Sequence, residues 1–250
     1  MVRILRLEDR YSALPVVSLT TRGQVASQIE GARAGGDAYL VKPVSPGLLL
    51  SVVSVKLDRG RLLKSLLDRD GLTRLLTHSA FMDQARVIWE KCRRKEGPCA
   101  VLVMIDLDHF KAVNDTHGHP VGDRVLTNLA RFLRKRLRGS DLIGRYGGEE
   151  FALIIEDLDA EVAAGMVERL REEFAGLEHD AYDGRKIRVT FSAGVAPLER
   201  KLKDLADWTR RADDALYEAK MAGRNRVAVS SPALEGSEEV APARGVGEGA

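Results

Sequence analysis

The chain has 250 residues, and its 39 Lys and Arg residues nearly balance its 37 Asp and Glu residues, for a formal net charge of +2. Without a bulk basic field, the composition gives no electrostatic reason to bind nucleic acid or an acidic membrane surface. Hydrophobic residues make up 44% of the chain, which is enough for a core and excludes wholesale disorder. No apolar run approaches the roughly 18 residues of a membrane span, and the first residues lack the order of a signal peptide. These features predict a cytoplasmic protein.

The two cysteines, Cys92 and Cys99, are too few for a disulfide framework and lack the partners of a zinc site. We interpret them as two separate buried or half-buried thiols, typical of a protein from a reducing compartment.

Residues 1–58 show a short βα pattern. The predicted elements are a strand over Pro15–Thr20, a helix over Gln24–Ala34 and a strand over Ala38–Val41. A helix follows, with Ser45 as its N-cap and Pro46 at its first position.

That helix can continue through the linker 59–70, because apolar residues recur at helical spacing. The stripe consists of Leu48, Val52, Val55, Leu62, Leu63 and Leu66. Gly60 weakens the helix by about 1 kcal/mol relative to Ala, and Arg59 interrupts the stripe. Two interpretations stay open: a helix packed on its own domain, or a coiled-coil-like dimer stalk.

Residues 71–230 are predicted to form one α/β domain. Its helices are expected at 72–94, 109–137, 159–176 and 202–222, and its strands at Ala100–Leu107, Asp141–Tyr146, Phe151–Glu156, Lys186–Val195 and Arg226–Val229. The core order βαββαβ indicates an α/β (more strictly α+β) class with a ferredoxin-like or palm arrangement, in which helices cover one face of a sheet that contains antiparallel strands. The Gly-, Pro- and Glu-rich residues 231–250 are predicted to be a disordered tail.

Two carboxylates stand where the first strand of this domain ends. Alternation along the strand puts Asp106 and Asp108 on one face and Leu107 on the other. Two crowded carboxylates repel each other unless a cation is present. We interpret Asp108 as the N-cap of the following helix and Asp106 as a metal ligand.

A second acidic pair follows a tight hairpin. Gly147-Gly148 lies between two strand-like runs, and glycine accepts the backbone angles of such a turn. Glu149 and Glu150 then point to opposite faces, so one can join Asp106 while the other lies nearer a reacting group. The alternative for the pair is an exposed charged turn.

Three converging carboxylates without His or Cys ligands suit a hard cation such as Mg²⁺ or Mn²⁺. Such ions leave positions open for substrate phosphates, and two-metal sites hold them roughly 3.5–4 Å apart. The pattern therefore favours phosphoryl or nucleotidyl transfer. No Gly-x4-Gly-Lys-Ser/Thr loop is present, so a nucleotide would be held in another way.

Several motifs over residues 68–228 together resemble the GGDEF diguanylate cyclases. In chain order they are Asp70-Gly-Leu-Thr73, Asp106-Leu-Asp-His-Phe-Lys111, Asn114-Asp115, Gly118-His119, Gly122-Asp123, Gly147-Gly-Glu-Glu-Phe151, Ala215-Leu-Tyr-Glu-Ala-Lys220 and Gly223-Arg224-Asn225. The order and spacing of the set are far more specific than any single motif. The resemblance implies a palm-like nucleotidyl-cyclase domain that condenses two GTP into cyclic di-GMP and two pyrophosphates.

The resemblance also implies the metal site. Asp106, the carbonyl of Leu107 and Glu149 would bind two Mg²⁺ or Mn²⁺ ions. Glu150 would join them or help to deprotonate the attacking 3′-hydroxyl, and Lys111 would stabilise developing charge.

The same resemblance places the substrate. Asn114 and Asp123 would bind the guanine edge, with His119 close to the nucleoside. The helix that starts at Phe110 would point its amides at the phosphates, and Lys220 and Arg224 would clamp the triphosphate. Because one such site holds one GTP, two chains must face each other, which implies a homodimer.

A regulatory site is implied just before the hairpin. Arg138 and Asp141 match the position of the family's inhibitory product site, and Arg169 lies where a second arginine is expected. Guanidinium groups and a carboxylate suit the phosphates and bases of a guanine dinucleotide. We expect feedback inhibition by cyclic di-GMP.

Residues 1–58 resemble the C-terminal half of a flavodoxin-like response-regulator receiver domain. Thr20 would be its phosphate-sensing hydroxyl, and Lys42-Pro43 matches the Lys-Pro step of that family. The acidic pair and the phosphorylated Asp of a receiver belong to strands that would precede Met1. The segment is therefore interpreted as incomplete, with an open sheet edge.

Two other functions remain as alternatives. A non-catalytic cyclic di-GMP receptor would use only the Arg138/Asp141 site, and a related cyclase could make a mixed purine dinucleotide. The presence of Asp106, Glu149 and Glu150 argues against the first, because a receptor needs none of them. Asp123 argues for guanine, since a carboxylate accepts from the ring N–H and the amine of that base.

Overall fold

The computed structural model describes residues 2–7, 14–21, 33–94, 99–181 and 184–231. Most of the predicted helix Gln24–Ala34 and all but the first residue of the predicted tail 231–250 lie outside these ranges. The boundary between two compact units falls between Arg69 and Asp70, and we describe each unit by itself.

The first unit contains α1 (Val2–Arg6), β1 (Val17–Thr20), β2 (Ala38–Val41) and α2 (Pro46–Leu67). Strands β1 and β2 pair in parallel, with Thr20 beside Val41, and a cis peptide bond joins Lys42 to Pro43. The backbone N–H of Leu48 donates to Ser45 Oγ at 3.3 Å, which confirms the predicted cap of α2.

Helix α2 is continuous from Pro46 to Leu67, so the linker predicted at 59–70 starts inside this helix. Leu48, Leu50 and Val55 are exposed on its first half. None of the described helices has the length and apolar composition that crossing a membrane requires.

The second unit contains a five-stranded sheet and the helices that cover it. Its elements are α3 (His78–Cys92), β3 (Ala100–Leu107), α4 (Phe110–His117), α5 (His119–Arg136), β4 (Leu142–Arg145), β5 (Glu150–Glu156), α6 (Ala160–Ala175), β6 (His179–Asp180), β7 (Lys186–Ile187), β8 (Phe191–Pro197), α7 (Leu205–Met221) and β9 (Val227–Val229). The strand order is β4-β5-β3-β8-β9, with only β8 and β9 parallel to each other, and β6 and β7 form a separate hairpin.

Helices cover both faces of this sheet, so the prediction of helices on one face is wrong. Side chains such as Val103 and Ile105 pack against α5 and α6 on one side, whereas Leu102 and Met104 pack against α3 and α7 on the other. All eight residues of β3 are buried. The continuous apolar run of β3 is typical of a strand buried on both faces.

The helix predicted at 72–94 begins only at His78, because Thr77 accepts a hydrogen bond from the Ala80 N–H and caps it there. The residues before it are used elsewhere: Leu76 pairs with the edge strand β4, where its carbonyl accepts from the Arg145 N–H at 2.8 Å. The predicted helix 109–137 is two helices, separated at Gly118, whose φ of 82° ends α4.

The strand predicted at Lys186–Val195 is also two elements. Lys186–Ile187 pairs with His179–Asp180, and the long strand β8 begins only at Phe191. Between them the Thr190 hydroxyl turns to Asp108, which a continuous strand pattern does not anticipate.

The two cysteines are joined in a disulfide, so the prediction of separate thiols is wrong, although both residues are buried as expected. The fold supplies the reason. Helix α3 ends at Cys92, and Cys99 lies directly before the first residue of β3. Their Cα atoms are 5.5 Å apart, within the range that a disulfide spans.

Candidate functional site

The acidic residues predicted to work together meet at one end of the central sheet. Asp106 is the cross-strand partner of Glu150, and the Leu107 N–H donates to the Glu149 carbonyl at 3.4 Å. The hairpin closes where the Tyr146 N–H donates to the Glu150 carbonyl at 2.8 Å. Strand pairing therefore brings the end of β3 and the start of β5 together.

Gly147 leaves the space that the end of the Glu150 side chain occupies, and its own φ lies outside the left-handed region. A Cβ at position 147 would overlap Oε2 of Glu150. The glycine thus lets the carboxylate fold back over the turn, which places a second acid beside the first without lengthening the hairpin.

The carboxylates of Asp106 and Glu149 lie close together and are partly shielded from solvent. Asp106 is only 7% exposed, and burial raises the pKa of its carboxyl group, against the opposing effect of Lys220. Burial and the negative charge of Asp106 likewise raise the pKa of Glu149. Lys220 Nζ lies 2.8 Å from Asp106 Oδ2, so one cation already offsets part of this charge.

The donors present here suit a hard divalent cation. Within the described ranges, no three acidic, His or Cys side chains are grouped as a ready-made metal cage. Mg²⁺ and Mn²⁺ nevertheless bind oxygen ligands of the kind present here, namely the carboxylates of Asp106 and Glu149 and the carbonyl of Leu107. Such ions complete their coordination shells with water and phosphate. The residues therefore fit a metal that binds together with a phosphorylated substrate.

Asp213 belongs to this cluster and the sequence analysis missed it. Burial, then the negative charges of Glu150 and Asp214, raise the pKa of Asp213 to about 6, against the opposing charge of Lys220. Asp213 precedes Lys220 by two turns of α7, so the two share one helix face. In the sequence, the only indication of Asp213 is that it lies seven residues before the motif lysine Lys220 on a predicted helix.

The residues predicted to bind the base are brought together by α4 and α5. A Cβ at Gly122 would overlap Asn114 Oδ1 and crowd the Phe110 ring, so the Asn114 amide packs directly over the first turn of α5. Asp123 follows Gly122 and is exposed, as is His119 at the start of α5. The two hydrogen-bonding side chains thus lie at the junction of two helices.

Asp123 also lines an open groove of about 480 Å³. The groove runs along α5 and ends at the β6 segment; its lining residues are Leu72, Pro120, Asp123, Arg124, Thr127, Asn128, Arg131 and Asp180.

The start of α4 lacks a side-chain cap. His109 occupies the cap position with a φ of 56°, and no side chain accepts from the first amides of the helix. Lys111 is exposed on the first turn. Uncapped N–H groups and an adjacent lysine make this helix end suitable for an anion.

The interpretation of Asp108 as the N-cap of α4 is wrong, because its carboxylate is engaged on the other side. Oδ2 accepts from Thr190 Oγ1 at 2.6 Å and from the Asn225 N–H at 3.0 Å. Oδ1 accepts from Ser192 Oγ at 2.7 Å. Asp108 thus connects the end of β3 with β8 and with the loop that follows α7.

The Arg145 side chain stabilises the hairpin turn through hydrogen bonds and an ion pair. Its Nε and Nη2 donate to the Gly148 carbonyl at 3.2 and 2.7 Å, and its Nη1 lies 3.2 Å from Asp70 Oδ1. Burial pushes the pKa of Asp70 upward, but hydrogen bonds from Thr73 and the Arg145 charge outweigh it, so that pKa is lowered. The guanidinium therefore joins the turn at Asp70 to the hairpin turn that precedes Glu149 and Glu150.

The residues of the predicted inhibitory site lie on two elements. Arg138 and Asp141 form a tight turn before β4, in which Asp141 Oδ2 accepts from the Arg138 N–H at 2.8 Å. Burial raises the pKa of Asp141, against hydrogen bonding and the charge of Arg138. Arg169 is exposed on α6.

The chain is similar to proteins of one known family. The family model described as "Diguanylate cyclase, GGDEF domain" matches residues 67–226. The chain is 40% identical over 174 residues to the probable diguanylate cyclase DgcC of Escherichia coli strain K12, covering 70% of this chain and 46% of DgcC. It is 32% identical over 234 residues to the response regulator PleD of Caulobacter vibrioides, covering 89% of this chain and 51% of PleD.

The chain thus spans about half the length of these curated relatives. Among solved structures, the GGDEF domain of DgcB from Caulobacter crescentus in complex with c-di-GMP superposes with a TM-score of 0.62 at 33% identity, over 65% of this chain and 93% of that domain. With a family model that matches well over half of its residues, the chain belongs to the GGDEF domain family of diguanylate cyclases.

Proposed function

We propose that the chain is a metal-dependent diguanylate cyclase that condenses two GTP into cyclic di-GMP and two pyrophosphates. The observation that carries this proposal is the meeting of Asp106, Glu149 and Glu150 with Lys220 at one end of the sheet. A carboxylate cluster partly balanced by a lysine can hold a divalent cation and a triphosphate side by side.

The chain's own residues position one GTP. The Asp123 carboxylate accepts from the ring N–H and the amine of guanine, and the Asn114 amide binds the same base edge, a pattern that adenine cannot match. The uncapped amides of α4, with Phe110 and Lys111 at its first turn, face the phosphates. His119 lies beside the nucleoside.

Lys220 and Arg224, which follow much later in the chain than Lys111, also neutralise the charge of the triphosphate. In the structure Lys220 pairs with Asp106, so we propose that it turns from the carboxylate to the phosphates when metal and GTP bind together. A lysine is suited to this exchange because its charge sits on a flexible stem.

Asp106, the Leu107 carbonyl and Glu149 would hold two Mg²⁺ or Mn²⁺ ions with the phosphates. A bound divalent cation would stabilise the charge that develops on the phosphate oxygens. Glu150 either completes this ligand set or accepts the proton of the attacking 3′-hydroxyl. The two roles differ in Glu150→Gln: loss of a ligand weakens Mn²⁺ affinity, whereas loss of a base changes the pH profile and leaves that affinity intact.

The reaction needs a second copy of the chain. Each new bond joins the 3′-oxygen of one GTP to the α-phosphorus of the other and releases pyrophosphate, and one site positions one GTP. Two chains related by a two-fold axis bring both pairs of reacting atoms together at once.

We infer that the product inhibits the enzyme at Arg138, Asp141 and Arg169. Support comes from the turn that holds Arg138 and Asp141 together and from the c-di-GMP bound to the similar DgcB domain. Arg138→Ala should leave the initial rate unchanged and raise the concentration of cyclic di-GMP needed for half inhibition about tenfold. An unchanged inhibition curve would remove this site.

We also propose that the first unit is the end of a receiver domain. The parallel pair β1–β2, with Thr20 at the end of β1 and Lys42-Pro43 just after β2, supports it, as does the similarity to the response regulator PleD over most of the chain.

The decisive experiment is to incubate the purified chain with GTP and Mg²⁺ and to identify products by mass spectrometry. Cyclic di-GMP should form, Asp106→Asn should abolish it, and ATP should give little product. Glu161→Ala, which removes an exposed acid on α6, is the matched control and should retain activity. Binding of cyclic di-GMP without turnover would instead favour a receptor, and equal use of ATP would contradict the proposed role of Asn114 and Asp123.

A further inference from the structure

Asp108 is a buried carboxylate without a role in the proposed chemistry. It is 5% exposed, and its oxygens accept the three hydrogen bonds from Thr190, Ser192 and Asn225 described above. Burying a carboxylate is costly unless its oxygens are satisfied. Three donors from segments more than 80 residues away satisfy this carboxylate, so it connects the end of β3 with β8 and with the loop after α7.

The loop on its far side has an unusual backbone. Gly223, Arg224 and Asn225 have φ angles of 113°, 63° and 45°, so three consecutive residues lie in the left-handed region. For the two that are not glycine, such a conformation costs on the order of 1 kcal/mol or more each and persists only when the surroundings hold it.

Asn225 anchors this loop through two hydrogen bonds, one from its backbone and one to its side chain. Its N–H donates to Asp108 at 3.0 Å, and its side-chain oxygen accepts from Arg171 Nη1 at 2.5 Å. Arg171 is itself fixed by hydrogen bonds to Glu168. The anchor is therefore a chain of contacts from β3 through the loop to α6.

Arg224 is the residue that this anchor orients. It directly precedes Asn225. Although burial and Lys220 have larger effects on the pKa of the Asp106 carboxyl group, Arg224 is close enough for its positive charge to lower that pKa. We propose that Asp108 is a positioning residue, which fixes the 223–225 loop through the Asn225 N–H so that Arg224 points at the triphosphate. This inference rests on the proposed function, in which Arg224 binds the phosphates.

The test compares binding of two probes to the Mg²⁺-loaded chain by calorimetry. One is a GTP analogue with a methylene group in place of the α,β-bridging oxygen, which cannot react, and the other is guanosine, which has no phosphates. Asp108→Ala should weaken binding of the analogue about tenfold and leave guanosine unaffected. Asp108→Asn keeps an acceptor oxygen for the Asn225 N–H, so it should restore affinity to within about twofold of the parent.

A double-mutant cycle shows whether Asp108 acts through Arg224. If it does, Asp108→Ala should have no further effect on analogue binding once Arg224→Ala is present. Thr209→Val is the matched control, because it removes a buried hydroxyl on α7 that donates to the Leu205 carbonyl, away from the loop. This control should bind both probes like the parent.

Should Asp108→Ala fail to fold, Asn225→Ala replaces it in the cycle, since it removes the Arg171 contact and disfavours the left-handed backbone. Equal losses for analogue and guanosine, or additive effects with Arg224→Ala, would overturn the positioning role. A parent chain that binds neither probe would overturn the proposed function itself, which separates the two failures.

Discussion

Two glycines in the site are explained by the functional side chains that lie over them. Gly122 makes room for the Asn114 amide, and Gly147 makes room for the Glu150 carboxylate. In both cases the atom nearest to a Cβ is the end of a flexible side chain, which can move aside; at Gly122 the Phe110 ring is crowded as well, at 3.1 Å. Substitution should therefore disturb function more than stability.

Gly122→Ala tests this at the guanine end. The new methyl group should displace the Asn114 amide from its place beside Asp123, and we expect the KM for GTP to rise about tenfold, equivalent to about 1.4 kcal/mol. Initial rates of pyrophosphate release measure it. Gly47→Ala, on α2 with open space at the Cβ position, should leave KM unchanged; an unchanged KM in Gly122→Ala as well would contradict the packing argument.

At residue level the sequence predicted the acidic residues and the lysine that the structure brings together, because they stand in short motifs. Asp106, Glu149 and Lys220 lie together as expected. Two features escaped it for the same physical reason. The partners of Asp108 are more than 80 residues away along the chain, and the raised pKa of Asp213 depends on burial and then on Glu150, both of which arise only in the folded chain.

Among the elements, α7 matters most because it carries Lys220 and lies directly on β8. A Cβ at Gly194 would overlap the Ala212 carbonyl and the Leu216 amide. These are backbone atoms of α7, so they cannot turn aside as a side chain does. The helix and the strand are thus in contact without a side chain between them.

Gly194→Ala should push α7 away from the sheet. We expect a loss of about 3 kcal/mol in the free energy of unfolding, measured by urea denaturation, together with reduced activity because Lys220 moves. Gly165→Ala, on an exposed position of α6 with no neighbour to its Cβ, should instead stabilise by up to about 1 kcal/mol. Equal stability of the two variants would contradict the close approach of α7.

A buried histidine gives the β6 segment a defined pH dependence. Burial lowers the pKa of His179 below its ordinary 6.5, while its Nδ1 lies 3.0 Å from Asn128 Nδ2. The unfolded chain then binds a proton before the folded chain does, so stability falls as pH drops through about 6.5.

Asp213, whose pKa is raised to about 6, acts in the opposite direction over the same pH range, so the test compares two chains that share it. Between pH 7.5 and pH 5.5 the urea midpoint of the parent should change less favourably than that of His179→Gln, because glutamine does not titrate. His117→Gln, which changes a half-exposed histidine on α4, should keep the parent's difference, and equal pH dependence in all three chains would argue against a titrating His179.

Element types were easier to predict than element limits. Strand β3 was predicted to the residue because its apolar run is unbroken. The limits of α3 and β8 were wrong because Leu76 pairs with β4 and Thr190 turns to Asp108. Local periodicity carries no information about such distant partners.

At the scale of the whole molecule, the proposed reaction requires two competent sites in one assembly. Asp106→Asn chains should still form dimers with the parent, but the site of the Asp106→Asn chain should not catalyse bond formation. At a one-to-one ratio with random pairing, about half of the parent chains would sit in mixed dimers, which can form one bond but cannot close the ring.

Adding an equal amount of Asp106→Asn chain to a fixed amount of parent should therefore lower cyclic di-GMP output to about half, with the linear dinucleotide appearing by mass spectrometry. Glu161→Ala added in the same ratio should raise the output instead. Undiminished output with Asp106→Asn would show that pairing is not required.

Asp70 is the first residue after the boundary between the two units, and through Arg145 it holds the Gly148 carbonyl. A change in backbone angle at this junction would act on the turn before Glu149 through two contacts of Arg145, one with Asp70 and one with the Gly148 carbonyl. Neither contact involves the apolar core. The hairpin before Glu149 and Glu150 is thereby tethered, through one guanidinium, to the residue at which the chain enters the second unit.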